Sequence, residues 1–278
     1  MNVSLIVNFD KKDAKSIAAG VVEQLNEKCI HLFADEKTAA WLNFPNIETA
    51  ADIFEIADVC VVIGGDGTIL HAAKRAALLK KPVLGVNAGR IGYLASVEKN
   101  ELSKLKALQR GDYKIEERTM LDVTLMSADS STTLNAFNDA VISKGALSRM
   151  IDMELFVDCH RLRYRSDGLI ISTATGSTAY SLSAGGPVMD PRVDNIVLTP
   201  ICPYTYFTRT LVIPSAADML ISVDLSNNKE AYLTVDGEVA LPIGSHDKIR
   251  ITKSDTRVKL ISLDDQSIYD CLERKIQL

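Results

Sequence analysis

Val59, Cys60, Val61, Val62 and Ile63 form an unbroken apolar run, and no other stretch constrains the fold of this chain as tightly. Apolar at every position, the run cannot alternate between core and water, so it is expected as a strand buried on both faces. It ends at Gly64, Gly65, Asp66, Gly67 and Thr68, and residues 69–79 continue with helical spacing. Asp-Gly is also a common hairpin pair, but a hairpin needs a second alternating strand and a helix-like segment follows instead. The expected unit is strand, glycine loop, helix, with the loop at the carboxyl end of a parallel strand. There glycine lets a ligand approach the backbone closely, and free N–H groups at the helix start attract phosphate.

The same alternation runs through the first hundred or so residues. Residues 3–9 are a short apolar run, and residues 11–28 put Ile17, Val21, Val22 and Leu25 on one helical face. Residues 29–33 read as a strand, a helical stretch carries Trp41 and Leu42, and residues 82–86 and 101–110 repeat the order. Continuous apolar strands separated by helices predict a parallel sheet covered on both faces. After about Arg118 the period changes. Residues 120–126, 152–158, 218–224, 231–235 and 258–262 read as short strands between Gly, Pro, Asn and Asp turn signals. A helical pattern returns only over 265–278, with Ile268, Cys271, Leu272 and Ile276 facing inward. The fold class expected is an α/β N-terminal domain with a parallel sheet, plus an all-β, sandwich-like C-terminal domain. The domains expected are residues 1–117, joined by 264–278, and residues 118–263.

Charge narrows the class of partner. Lys and Arg number 31 against 36 Asp and Glu, a net charge of −5, so the basic surplus of a nucleic-acid binder is missing. No apolar run approaches the roughly 20 residues that span a bilayer. Residues 1–9 carry neither a basic segment nor a small-residue cleavage site, so no export signal is expected. Cys29, Cys60, Cys159, Cys202 and Cys271 are scattered without a CxxC pair, which gives no disulfide framework and no structural zinc. Most of them are expected as small core residues. His31, His160 and His246 are dispersed and form no metal constellation. These bounds describe a reduced, cytoplasmic, soluble protein with no nucleic-acid or membrane partner and no metal ligands of its own.

The glycine loop lacks GxGxxG spacing, and no GxxxxGK[ST] occurs anywhere, so neither the dinucleotide fingerprint nor the Walker loop accounts for it. What it holds instead is a carboxylate, Asp66, in the middle of a phosphate-binding turn. An acid there repels phosphate unless a cation neutralises it or it takes a proton from an acceptor hydroxyl, a combination that fits phosphoryl transfer. Residues 173–183 are dense in hydroxyls and glycine directly after the apolar Leu169, Ile170 and Ile171. A strand leading into such a polar helix start supplies N–H and O–H donors to a nucleotide, an ordinary capped loop being the alternative. Within it Tyr180 is suited to stack on adenine, or to fill core. Asn138 offers a donor and an acceptor for vicinal ribose hydroxyls, and Asp139 accepts from them; by themselves the two also read as a turn. Asp167-Gly168 is a plain turn pair. Arg149, Arg161, Arg163 and Arg165 form a basic cluster able to contact phosphate, a solvated strand face being the alternative for Arg161 and Arg163. His71, one helical turn beyond Thr68, projects near the loop end, where it is placed to touch phosphate or, as is commoner for a lone helical histidine, is structural.

At this loop the chain resembles the NAD kinase family. Four further stretches are similar to that family's motifs, in the same order: residues 85–93, Asn138-Asp139, Arg165 to Pro187, and Val235-Asp236-Gly237-Glu238. The glycine loop is shared with diacylglycerol kinases, whereas the run TGSTAYSLSAGGP, Thr175 to Pro187, is highly specific. The resemblance implies phosphorylation of the 2′-hydroxyl of the adenosine ribose of NAD to give NADP. ATP, or in some members polyphosphate, is the donor, with Mg²⁺ or another divalent cation delivered on the triphosphate. It also implies a cleft between the two domains that holds NAD, a final segment returning to the first domain, and a homotetramer or homodimer. By motif match Asp66 would be the proton acceptor and Gly67 a nucleotide contact, and Asn138 and Asp139 occupy the family's Asn-Glu pair. Asp167 would sit near the nicotinamide side, Arg165 would face the dinucleotide, and Thr178, Ala179, Tyr180 and Ser183 would line the adenosine pocket.

The chain departs from the family pattern in four respects. Ala174 stands where Pro is usual, Asp139 is one methylene shorter than Glu, and Glu238 stands where Gln is common. Residues 203–209 also differ from the frequent form. Two rivals follow from the same residues. A lipid kinase shares the glycine loop but needs a basic or apolar membrane patch. A non-catalytic dinucleotide sensor keeps the pocket without turnover.

Overall fold

Every residue of the strand Val59–Gly64 is buried, as its unbroken apolar character requires. The structure, a computed structural model, describes residues 1–26, 29–90, 92–147, 149–205, 208–264 and 268–276. The chain divides into two compact units, one made of Met1–Arg118 with Thr256–Leu278 and the other of Thr119–Asp255.

In the first unit strands and helices alternate: β1 (Asn2–Val7), α1 (Ala14–Gln24), β2 (His31–Ala34), α2 (Glu36–Leu42), β3 (Ile47–Thr49), α3 (Ile53–Ile56), β4 (Val59–Gly64), α4 (Asp66–Leu78), β5 (Pro82–Asn87) and α5 (Lys106–Arg110). The strands pair in parallel in the order β5–β4–β1–β2–β3. Register sets Val61 beside Leu5 on one side and Leu84 on the other. Ile17, Val21 and Val22 of α1 join those residues in one apolar core. The helix expected over 11–28 is shorter, because residues 11–13 are spent in turns; positions 27–28 lie outside the described residues. In α4 the residues Ile69, Leu70, Ala72, Ala73, Ala76 and Ala77 are buried, the stripe that a 3.6-residue period aims at the sheet. That helix closes where Lys80 takes φ 58° and the N–H of Lys81 reaches the carbonyl of Ala76 at 2.9 Å.

The second unit is built of strands: β6 (Lys114–Met126), β7 (Ser131–Ala136), β8 (Asp139–Lys144), β9 (Ile151–Val157), β10 (His160–Ser166), β11 (Gly168–Thr173), then the short helix α6 (Tyr180–Ser183), β12 (Asn195–Ile201), β13 (Leu211–Pro214), β14 (Met219–Asp224), β15 (Ala231–Val235), β16 (Val239–Pro242) and β17 (Lys248–Ser262). One antiparallel sheet runs β13–β12–β11–β8–β15–β16. A second set runs β10–β9–β14–β17, and β6 pairs with β7. Ile142, Leu169 and Ile171 of the first sheet share a core with Met153, Leu155 and Ile221 of the second, which makes the unit sandwich-like. The fold is therefore a parallel α/β unit followed by an antiparallel β unit.

The chain re-enters the first unit at Thr256, inside β17 and ahead of position 264, since Lys259 and Leu260 pair in parallel with Pro82 and Val83 of β5. The final helix, α7 (Ile268–Ile276), has Ile268, Cys271 and Leu272 half-buried on one side. Of the helix expected over 265–278, residues 265–267, residues 277–278 and the side chain of Ile276 lie outside the described residues. One expectation fails. Only Cys60 is a buried cysteine, its thiol pushed up to about 12 by burial, whereas Cys29, Cys159 and Cys202 are exposed and Cys271 is half-buried. Cys60 lies on a strand covered on both faces; the three exposed ones fall in connections, where nothing packs over them. Among the described residues no helix is long and apolar enough to cross a membrane.

Candidate functional site

Three loops meet at the carboxyl ends of β1, β4 and β5. The N–H of Asn8 donates to the carbonyl of Ile63 at 2.9 Å, and the N–H of Ala88 to that of Gly64 at 2.8 Å. Asn8 Nδ2 donates to Thr68 Oγ1 at 2.8 Å, which fixes the start of α4 to β1. Asn87 Oδ1 accepts the N–H of Gly89 at 2.9 Å, while its Nδ2 donates to the carbonyl of Arg90 at 3.1 Å and to Glu98 Oε2 at 2.9 Å. Parallel strands end in line, so their loops share this edge, where α/β folds bind ligands.

Asp66 is the first residue of α4, which no side chain caps. Its carboxylate turns away from its own helix and accepts the N–H of Tyr93 at 2.8 Å on Oδ2 and the N–H of Leu94 at 3.1 Å on Oδ1. One lone pair on each oxygen is thereby used, and the others remain for a further donor. Gly67 is exposed directly beside it. Lys11 overlooks the same loops: a Cβ at Gly65 would come within 3.9 Å of its Nζ and one at Gly89 within 3.8 Å. His71, on the same helix, is exposed. The stretch 85–93 contains Ile91, which lies outside the described residues.

In the second unit a cavity of about 340 Å³ is lined by Asn138, Asp139, Ala179, Tyr180, Thr234 and Asp236, among others. That volume falls in the range of small-ligand pockets. Tyr180 is 47 % exposed, with its ring available at the rim. Asp139 is 5 % exposed, and burial, followed by the nearby Asp236 carboxylate, pushes its carboxyl up to about 7. The hydroxyl-rich segment winds into a 3₁₀ turn, Thr175–Thr178, before α6 rather than one long helix start. Its hydroxyls are largely spent internally, with Thr173 Oγ1 on the carbonyl of Phe137 at 2.7 Å and Ser177 Oγ on that of Ala174 at 2.7 Å.

The predicted residues thus separate into groups. Asn138, Asp139, Ala179 and Tyr180 come together in this cavity. Arg149 and Arg165 line another, of about 550 Å³, with Asp152, Tyr204 and Lys229. There Arg165 lies 3.8 Å from Asp152 and over the ring of Tyr204. Arg161 and Arg163 both pair with Glu154 on β9. Asp167 pairs with Lys144 at 3.2 Å, Thr178 donates to the carbonyl of Thr175 at 3.2 Å, and Ser183 is exposed at the end of α6. Tyr206 and Phe207, in the departing stretch 203–209, lie outside the described residues. Lys11 carried no sequence signal, and Asp236 had only its place in the stretch 235–238. Among the described residues no three His, Cys, Asp or Glu side chains group to hold a metal ion.

Residues 3–113 match the family model described as the ATP-NAD kinase N-terminal domain, and residues 137–263 match that of the ATP-NAD kinase C-terminal domain. The NAD kinase of Geobacter metallireducens is 41% identical over 278 residues, covering 99% of this chain and 98% of that protein. The NAD kinase of Moorella thermoacetica is 38% identical over 277 residues, covering 99% of this chain and 89% of that protein. Among solved structures, yeast NADH kinase complexed with NADH is similar with a TM-score of 0.90 and 26% identity, over 100% of this chain and 88% of that one. An NAD kinase from Archaeoglobus fulgidus in complex with ATP shares the fold, with a TM-score of 0.73 and 24% identity over 100% of this chain and 99% of that one.

Proposed function

The chain belongs to the NAD kinase family, and from that premise we propose how its residues carry out the reaction. It is an NAD kinase, moving a phosphoryl group to the 2′-hydroxyl of the adenosine ribose of NAD to give NADP. The donor we assign is ATP. Asp66 accepts the proton of the 2′-hydroxyl, and the freed oxygen attacks the γ-phosphorus. The bond from that phosphorus to the β–γ bridging oxygen breaks, and ADP leaves with the electron pair. The observation that carries this role is the setting of Asp66. Two backbone N–H groups fix its carboxylate at 2.8 Å and 3.1 Å and leave acceptor capacity on both oxygens, next to an exposed glycine.

Lys11, over Gly65 and Gly89, supplies positive charge to the donor phosphates, with Gly67 and His71 beside them. In the cavity of the second unit, Asn138 and Asp139 meet ribose hydroxyls while Ala179 and Tyr180 flank the base. Thr178 and Ser183 are assigned to the adenosine pocket from their place in the stretch that carries Ala179 and Tyr180, Arg149 and Arg165 to the dinucleotide, and Asp167 to its nicotinamide side, although none of the five lines this cavity. Mg²⁺ or another divalent ion enters as part of the nucleotide substrate, which suits an ion that keeps phosphate and water ligands. Five unpaired thiols fit work in the reducing cytoplasm, and the exposed Leu211 and Val212 of the edge strand β13 fit burial in a homotetramer or homodimer.

The deciding assay supplies NAD, ATP and Mg²⁺ and reads NADP with an NADP-specific dehydrogenase. NADP formation is expected, and a polyphosphate arm ranks the donors. Calorimetric NAD binding without product would mark a sensor, and phosphorylation of diacylglycerol in place of NAD a lipid kinase.

A further inference from the structure

Asp236 stands in the turn between β15 and β16 with φ 50°, a left-handed conformation unusual for a residue with a side chain. Its Oδ1 accepts the N–H of Asn138 at 2.7 Å and of Asp139 at 3.0 Å, and its Oδ2 accepts the N–H of Phe137 at 2.9 Å. Its own N–H donates to the carbonyl of Asp139 at 2.9 Å. From the β11 side, Thr173 donates its N–H to the carbonyl of Asn138 at 2.9 Å and its hydroxyl to that of Phe137 at 2.7 Å. All N–H and carbonyl groups of residues 137–139 are therefore tied by Asp236 and Thr173, and Ser172 Oγ adds a second donor to the carbonyl of Asn138 at 3.3 Å. The side chains of Asn138 and Asp139, by contrast, make no hydrogen bond among the described residues, and both line the cavity. A fixed backbone presenting two untied polar side chains is pre-organised for a polar ligand.

We propose that Asp236 is the positioning residue of this pocket, fixing Asn138 and Asp139 for NAD and, as a like charge on the same cavity, coupling NAD capture to proton concentration. The proposal rests on the assignment of this cavity to NAD. The titratable groups lining the cavity with Asp139 are Asp236 and, from α6, Tyr180. The neighbouring strand β11 and the 3₁₀ turn contribute Ser172, Thr173, Thr175 and Ser177 but no charge. Burial, and after it the charge of Asp236, holds the Asp139 carboxyl up to about 7. Protonated, Asp139 gives up acceptor capacity that ribose hydroxyls need, so capture weakens as pH falls through that region.

The test is steady-state NADP formation at saturating Mg·ATP from about pH 5.5 to about pH 8.5. It compares the natural chain, Asp236→Asn and Asp139→Asn, with aspartate carboxyls of the unliganded proteins followed by ¹³C NMR. For the natural chain kcat/KM for NAD should fall about tenfold per pH unit below about 7. In Asp236→Asn that limb should move down by about one unit, and KM for NAD above the limb should rise roughly tenfold while kcat falls less. In Asp139→Asn the limb and the near-neutral carboxyl signal should both vanish. A purely structural role for Asp236 would lower the amount of active protein without moving the limb. An unmoved limb in Asp236→Asn, or a near-neutral titration that survives Asp139→Asn, overturns the proposal. If Asp236→Asn does not fold, Asp139→Asn and the NMR titration still decide. NADP absent at every pH would overturn the kinase assignment instead, and the NMR titrations would still test the coupling of the two carboxyls.

Discussion

A Cβ on Gly92 would stand 2.0 Å from Oδ1 of Asp66. The loop after β5 therefore presses its backbone against the acid of the glycine loop, and the following two N–H groups hold that acid in place. Gly92→Ala should push the carboxylate off these donors. Turnover should fall about 10²-fold or more, the scale of an ångström-sized misplacement, with a smaller change in KM for NAD. Steady-state NADP formation beside a thermal melt checks this, and unaltered kcat in a folded variant would refute it.

Asp66→Asn removes the proton acceptor and leaves one oxygen for two N–H donors. Turnover should drop roughly 10²–10⁴-fold, with a stability loss of about 1–3 kcal/mol from the orphaned donor. Calorimetry should find NAD still bound. Near-normal turnover would take Asp66 out of its role as base.

Gly176 bears the same relation to Asn138, since a Cβ there would lie 2.1 Å from the Asn138 carbonyl oxygen. That neighbour is backbone tied by Thr173 and cannot swing aside. Gly176→Ala should raise KM for NAD about tenfold and cost about 1–3 kcal/mol of stability. Calorimetric NAD affinity and urea unfolding read the two effects, and a variant unchanged in both would contradict the geometry.

Asp139 makes stability depend on pH with a definite sign. Its carboxyl sits at about 7 in the fold against 3.8 for an unperturbed aspartate, so between these the native state holds more protons than the unfolded chain. Stability is full below the unfolded value and is lost as pH rises through the folded one, on the order of 4 kcal/mol at most. Asp139→Asn should therefore be more stable than the natural chain at about pH 8, with the gap narrowing at about pH 5. Urea unfolding at both values measures it, and a gap independent of pH would rule out this linkage.

Much of the fold is written locally. The unbroken run at 59–63 can only be a strand covered on both faces, and the alanine stripe after Thr68 can only face a sheet as a helix. The change from helical to alternating period after Arg118 likewise announces the antiparallel unit. Tyr180 stands out within the hydroxyl-rich stretch 173–183, and Asn138 and Asp139 as a polar pair directly before the apolar residues 140–142; the structure gathers all three in one cavity. The exposed cysteines were misread, because composition says nothing about which connection is left uncovered.

The sequence by itself determined the period of each segment, the glycine loop and the acid within it, since these depend on neighbours a few residues apart. Only the tertiary structure decided that Asp66 hangs on N–H groups 27 and 28 residues downstream, and that Asp236 ties a segment nearly a hundred residues before it. It also divided Arg149 and Arg165 from Asn138 and Asp139 into separate cavities. Those pairings follow from strand order and register, which are fixed when whole sheets bury their faces together, and a local pattern carries no record of that choice.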